Sequence, residues 1–193
     1  MLPLPEGEKV GERAVIIGVT GCVGAGKSTA SAILATFGAR VLDLDRVAAR
    51  AVKESSLGLS PAEALAAVVT GGPDKARIEA ALIAVVRARV AAWCSESAQP
   101  GVLDAALLFE HGLERFCDFT ICVCCPIDER RRRVELRSTA SSGLFAAIEA
   151  AQWTEARKAG LARLNVRGDG ELTTVLRTAW NALSPSGRGS AEE

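Results

Sequence analysis

The chain has 193 residues, 49% of them hydrophobic, and its 23 Lys and Arg balance its 23 Asp and Glu. This length fits one compact domain with a substantial core, and the composition lies far from that of disordered chains. Zero net charge encodes no chain-wide grip on nucleic acid or an anionic membrane, so neither is expected as a partner.

In chain order, residues 1–13 read as a flexible lead-in. Their Glu, Lys, Pro and Gly occupy the place where a secretory signal would be apolar, so a cytoplasmic location is expected. The run Ala14–Thr20 is a predicted strand, followed by a helix over Lys27–Phe37 that Gly38 stops. Lys27 and several Gly interrupt this stretch, so no membrane span is expected. A second strand is expected over Arg40–Leu44, then helices over Arg46–Lys53, Pro61–Val69 and Pro73–Trp93. Strands follow at Gly101–Leu107 and Phe119–Cys125, then helices at Asp128–Arg137 and Leu144–Lys158. A weaker strand at Leu161–Val166, a helix over Glu171–Leu183 and a frayed tail at 184–193 complete the chain. Strand and helix alternation of this kind predicts a right-handed, doubly wound α/β domain around a parallel sheet.

Four of the six Cys fall between Cys117 and Cys125, but the only His is His111, which argues against a closed zinc site. Buried, reduced thiols are the expected state, since Phe119–Cys125 has the apolar, β-prone character of a strand covered on both faces. His111 is expected at the surface or at a helix start, and Trp93, Trp153 and Trp180 in packing.

Gly21-Cys22-Val23-Gly24-Ala25-Gly26-Lys27-Ser28-Thr29 fits G-x-x-x-x-G-K-[ST] between a predicted strand and a predicted helix. Glycines let such a loop turn its N–H groups inward around phosphate oxygens, and the helix that follows directs its positive end at the same anion. Lys27 is expected to reach the β and γ phosphates, and the Ser28 hydroxyl to enter the coordination sphere of Mg²⁺. The loop implies a nucleoside triphosphate without naming a reaction. A guanine-specific N-K-x-D is missing, because neither Asn165 nor Asn181 precedes a Lys, and no transporter signature loop is present. Length and the single loop favour a small-molecule kinase.

Asp43 and Asp45 lie at the carboxyl end of the predicted second strand, the end that faces the crevice of an open α/β sheet. A carboxylate there can hold magnesium or take the proton of an attacking hydroxyl. Residues i and i+2 of a strand point the same way, so both can serve one site; the alternative is that Asp45 caps a helix beginning at Arg46. Asp104, ending the third strand, is the candidate metal-supporting carboxylate. Arg133 and Arg137, four apart on a helix, can bring two charged forks onto a transferring phosphoryl group.

These residues resemble the dephospho-coenzyme A kinase family over roughly Val15 to Leu183. Thr20–Thr29 matches its T-G-G-I-G-S-G-K-S-T, and Val41–Arg50 its V-I-D-A-D-x-I-A-R with one Ala inserted. Val102–Glu110 resembles V-x-D-x-P-L-L-F-E, Arg133 and Arg137 its R-x-x-x-R lid helix, and Ala150-Ala151-Gln152 the lid's second half. The resemblance implies a P-loop kinase fold with a five-stranded parallel sheet in the order 2-3-1-4-5. It implies ATP with Mg²⁺, and dephospho-CoA as the acceptor phosphorylated on its ribose 3′-hydroxyl, with Asp45 as base. Asp43, Leu107, Leu108 and Glu110 are then expected to line the acceptor. Expected boundaries are a core at about 14–54, 99–127 and 160–183, an acceptor region at about 55–98 and a lid at about 128–159, in a monomer or weak homo-oligomer. The chain departs from the family in lacking an acidic-Gly-Leu-Arg segment. It also carries Ile83-Ala84 in place of His-Pro, Ala106 in place of Pro, Ala162-Arg163 in place of Ala-Asp, and Gly168 in place of Asn. The expected rivals are a kinase for another small alcohol and a nucleotide-binding protein without turnover.

Overall fold

The computed structural model describes residues 14–55, 58–70, 75–137 and 142–183. The expected flexible ends, 1–13 and 184–193, lie outside them. Strands β1 (Ile16–Thr20), β2 (Arg40–Asp43), β3 (Gly101–Asp104), β4 (Phe119–Cys124) and β5 (Leu164–Arg167) form one sheet in the order β2-β3-β1-β4-β5. All four pairings are parallel, as the alternation of elements requires.

A parallel sheet needs cover on both faces, and the alternation of side chains along β1 divides the core accordingly. Ile17 and Val19 point into a cluster with Ala30 and Leu34 of α1 (Lys27–Thr36) and Leu172, Leu176 and Trp180 of α8 (Leu172–Leu183). Ile16 points the other way, into a cluster with Leu103, Leu108, Leu113 and Val86, Val90 and Trp93 of α4 (Lys75–Ser95). Each fully buried aliphatic side chain of this kind contributes roughly 1.5–3 kcal/mol. A separate, smaller cluster of Val52, Ala64 and Ile78 joins α2 (Leu44–Glu54), α3 (Pro61–Thr70) and α4. Among the described residues no helix is long and apolar enough to cross a membrane, and all six cysteines are free thiols.

Three expected boundaries shift for identifiable reasons. Strand β3 stops at Asp104 rather than Leu107: Ala105 N–H donates to Val19 C=O, and the chain then coils on itself, with Leu113 N–H on Leu108 C=O and Gly112 at φ 61°. The helix expected over Leu144–Lys158 is two, α6 (Ser142–Ala151) and α7 (Glu155–Leu161), because Thr154 accepts from Arg157 N–H and starts a new helix. Helix α7 runs through Leu161, so β5 begins only at Leu164. The helix expected at Asp128–Arg137 is α5 (Ile127–Arg137).

The register sets the position of the site. Val19 pairs with Asp104, and Asp104 with Asp43, so the carboxyl ends of the three neighbouring strands finish in one row. The loop after β1 and both carboxylates therefore open onto the same crevice.

Gly101 sits opposite Ile16 and Arg40 with the Trp93 ring against its α-carbon; an added Cβ would lie 2.5 Å from Trp93 Cη2. Trp93 is in turn held by the Arg40 guanidinium, 4.0 Å over its ring and donating to its carbonyl at 3.0 Å. Gly101→Ala is expected to lower unfolding free energy by about 1–3 kcal/mol through overpacking, read as a lower urea midpoint at unchanged slope.

Candidate nucleotide and acceptor site

Between Thr20 and Lys27 the chain makes a loop with Gly21, Gly24 and Gly26 at φ 147°, 78° and 106°. These left-handed conformations favour glycine, and space enforces it as well. A side chain at Gly21 would strike the Val123 carbonyl, and one at Gly24 would lie 2.5 Å from the Arg130 carbonyl oxygen. Gly26 caps α1 without a side-chain hydrogen bond and no acidic residue lies in the first turn, so the positive helix end faces outward unneutralised. It faces a cavity of about 380 Å³ lined by Gly24, Gly26, Lys27, Ser28, Thr29 and Ala32. Lys27 is only 9% exposed. Cys22 and Ala25 are fully buried, so they offer an anion backbone alone.

Asp43 closes β2 and caps α2, its Oδ1 accepting from Arg46 N–H at 3.0 Å. The capping role weighed for Asp45 belongs to Asp43, because α2 begins at Leu44. This leaves Asp45 on the first helical turn, free of capping duty. Asp104 is 6% exposed at the end of β3. The cleft walls hold the Asp45 carboxyl above the ordinary carboxylate range; Asp43 adds to the rise, and Lys27, Lys158 and His111 oppose it. Burial also raises Asp104, against Lys27. Asp45 and Asp104 thus share Lys27 as their first opposing charge, while Asp43 pairs with Arg46, an arrangement whose remaining negative charge a hard divalent cation would relieve. Among the described residues no group of three metal-binding side chains converges.

The remaining predicted residues divide between the crevice and its supports. Arg133 donates through Nε to Glu129 at 2.8 Å, and its two Nη atoms reach Ala25 C=O at 3.4 Å and Gly168 C=O at 3.2 Å. It lies beside the phosphate loop with its fork on loop carbonyls. Arg137 ends α5, but its side chain lies outside the described residues. Leu107 is half-buried, and Leu108 is fully buried in the core. Glu110 Oε1 accepts from Trp153 N–H at 2.9 Å and pairs with Lys158 Nζ at 2.7 Å. His111, expected at the surface or at a helix start, is half-buried, and burial lowers its pKa.

Sequence reasoning missed two residues. Arg130 is 4% exposed; it forms a bidentate pair with Glu149 at 2.5 and 2.8 Å and also donates to the Cys125 carbonyl and, at 3.4 Å, to the Val23 carbonyl. Lys158 is completely buried and donates to Ala106 C=O as well as to Glu110. Nothing in Glu155-Ala-Arg-Lys-Ala distinguishes the buried Lys from the exposed Arg157 beside it. For Arg130, the spacing of Arg130 and Arg133 on one helix face was the available signal.

A family model of dephospho-CoA kinases matches residues 15–67 and 63–174. The dephospho-CoA kinase of Thermus thermophilus is 37% identical over 177 residues, covering 84% of this chain and 87% of its own. That of Deinococcus radiodurans is 31% identical over 178 residues, covering 82% and 86%. A solved protein structure from Thermus thermophilus superposes at a TM-score of 0.74 with 34% identity, over 89% of this chain and 99% of that one. The match runs from the phosphate loop through the three carboxylates to α8, and with it the chain belongs to the dephospho-CoA kinase family.

Proposed function

We propose that the chain transfers the γ-phosphoryl group of ATP to the ribose 3′-hydroxyl of dephospho-CoA, giving coenzyme A and ADP. The observation that carries this reading is the row of strand ends, where a loop built for a triphosphate meets Asp45 across Lys27. The 3′-oxygen bonds to the γ-phosphorus, the bond from that phosphorus to the bridging β,γ-oxygen breaks, and the hydroxyl proton passes to Asp45. Backbone N–H groups of residues 21–29 and the Lys27 ammonium hold the triphosphate. Ser28 Oγ and Asp104 would supply hard oxygen donors of the kind that suits Mg²⁺, which would neutralise phosphate charge.

Since the transition state is loose, the protein's work is positioning and charge neutralisation. Arg133 stands beside the loop for that purpose, with Arg137 one turn further along α5. Residues 55–98 serve as the acceptor region, with Asp43 and Leu107 toward the acceptor, and residues 128–159 as the lid; Leu108, fully buried in the core, and Glu110, held by Trp153 and Lys158, support the site from behind instead of lining it. A cytoplasmic monomer or weak homo-oligomer is the form in which this activity is placed.

The test is ADP release measured with and without dephospho-CoA, alongside nucleoside and shikimate-like alcohols. ADP formed in step with coenzyme A supports the reading. Phosphorylation of another alcohol but not of dephospho-CoA would replace the acceptor, and tight ATP binding without transfer to any acceptor would leave a nucleotide-binding protein. Asp45→Asn is expected to lower kcat by about 10²–10⁴-fold with KM for ATP nearly unchanged.

The same variant should be the more stable protein when no nucleotide is bound. A carboxyl whose folded pKa lies above its unfolded value binds its proton more tightly in the folded state. Its contribution is present below the unfolded value and lost as pH rises through the folded one. Asp45→Asn is therefore expected to melt above the parent at pH 8, with the gap closing as pH falls toward about 4, measured by calorimetry.

A further inference from the structure

Lys158 is the largest fully buried side chain with a charge, and the proposed chemistry does not use it. A buried ammonium is costly unless it is paired and hydrogen-bonded. Its partners are all structural groups at the edge of the crevice. Nζ reaches Glu110 Oε1 at 2.7 Å and Ala106 C=O, two residues beyond Asp104. The same Glu110 oxygen accepts from Trp153 N–H at 2.9 Å. Trp153 C=O in turn receives the Cys22 thiol at 3.6 Å, and its neighbour Gln152 accepts from Val23 N–H through Oε1 at 2.9 Å. Thr20 Oγ1 shares the Ala106 carbonyl at 3.4 Å. A continuous hydrogen-bonded path therefore runs from the phosphate loop, through the break between α6 and α7, to the segment that follows Asp104.

We infer that Glu110 and Lys158, with Gln152 at the other end, are positioning residues that hold the phosphate loop and the acceptor-side carboxylates in register for transfer. The inference rests on the kinase reading above. A bound phosphate and a hydroxyl reach in-line geometry only if the two sides of the crevice keep their spacing, and a small misplacement costs far more turnover than affinity. The break at Gln152-Trp153-Thr154 is where one element touches both sides. Thr154 begins α7 there, which leaves the Trp153 N–H and C=O for Glu110 and Cys22.

Removing one member of a buried pair can unfold a protein for reasons unrelated to register, so the test uses three variants. Glu110→Gln with Lys158→Met removes both charges together and is expected to restore a melting temperature near the parent's. Lys158→Met alone shows the unpaired cost. Gln152→Ala cuts the path at its half-buried end without opening the core. For the double variant and Gln152→Ala we expect kcat for coenzyme A formation to fall about tenfold or more, with KM for ATP within about twofold of the parent. The distinguishing measurement is the number of ADP formed per coenzyme A. It is near one in the parent and should rise clearly above one when loop and acceptor lose register, because water competes for the phosphoryl group.

A double variant that melts like the parent, turns over at the parental rate and keeps the ratio at one would reduce the pair to structural glue and overturn the inference. Should the double variant fail to fold, Gln152→Ala decides alone: parental kcat and a ratio of one overturn the inference, and a raised ratio supports it. A parent that forms no coenzyme A would instead fail the kinase reading itself.

Discussion

A triphosphate and a row of carboxylates must occupy the same strand ends, and like charges repel. At about 4 Å two unit charges interact by about 1 kcal/mol in water and about 4 kcal/mol at the effective dielectric of a protein surface. The parallel register leaves no freedom here, because pairing Val19 with Asp104 and Asp104 with Asp43 aligns the ends whatever the side chains prefer. Lys27 is the cation that lowers both Asp45 and Asp104 toward their charged forms, and it sits at the start of the helix whose positive end already faces the cavity. The free protein thus holds Asp45 and Asp104 above the ordinary carboxylate range, and the two apolar clusters on the sheet faces offset that local cost. Such strain at a site is the usual exchange of stability for preorganisation.

The shape of the loop depends on neighbours outside it. Arg130 reaches the Val23 carbonyl, Arg133 the Ala25 carbonyl, and Gln152 takes the Val23 N–H. The absence of a side chain at Gly24 lets the Arg130 backbone approach, and the absence of one at Gly168 lets the Ala25 carbonyl approach. Both roots of the proposed lid therefore grip the phosphate loop from behind. Arginines placed in this way shape the phosphate loop before any nucleotide arrives, so their proposed contribution falls in binding as well as in transfer.

The parallel sheet and the phosphate loop could be read in the sequence because each leaves a local pattern, whereas the strand order came only from the family resemblance. Apolar runs of five to seven residues mark the strands, and glycine spacing marks left-handed turns beside an ammonium. The break at Gln152–Thr154 was not legible, since Ala-rich sequence on both sides continues helical spacing; the Thr154 cap and the hydrogen bonds of Trp153 decide the matter. Lys158 was hidden for a similar reason: a charged residue on a short helix reads as solvated, and only the tertiary placement of Glu110 and Ala106 makes burial tolerable. Asp43 and Asp45 were found as a pair, but which one caps α2 depended on a helix start two residues earlier than expected.

The acceptor side is built differently from the sheet. Its helices meet through the small cluster of Val52, Ala64 and Ile78, separate from both main clusters, with Leu59, Ala67 and Leu82 packed around it. Few buried apolar groups mean a low free energy of local opening, which suits the part of a kinase that must admit and release a large substrate. Helix α3 also packs against α6 as well as α2 and α4, so the proposed acceptor region touches the helix that leads into Gln152. The rigid path through Glu110 and Lys158 and the softer path through α3 then meet at the same break. On the proposed function, the fold would thereby join a lightly packed surface beside the acceptor to a hydrogen-bonded one that holds the distance over which the phosphoryl group moves.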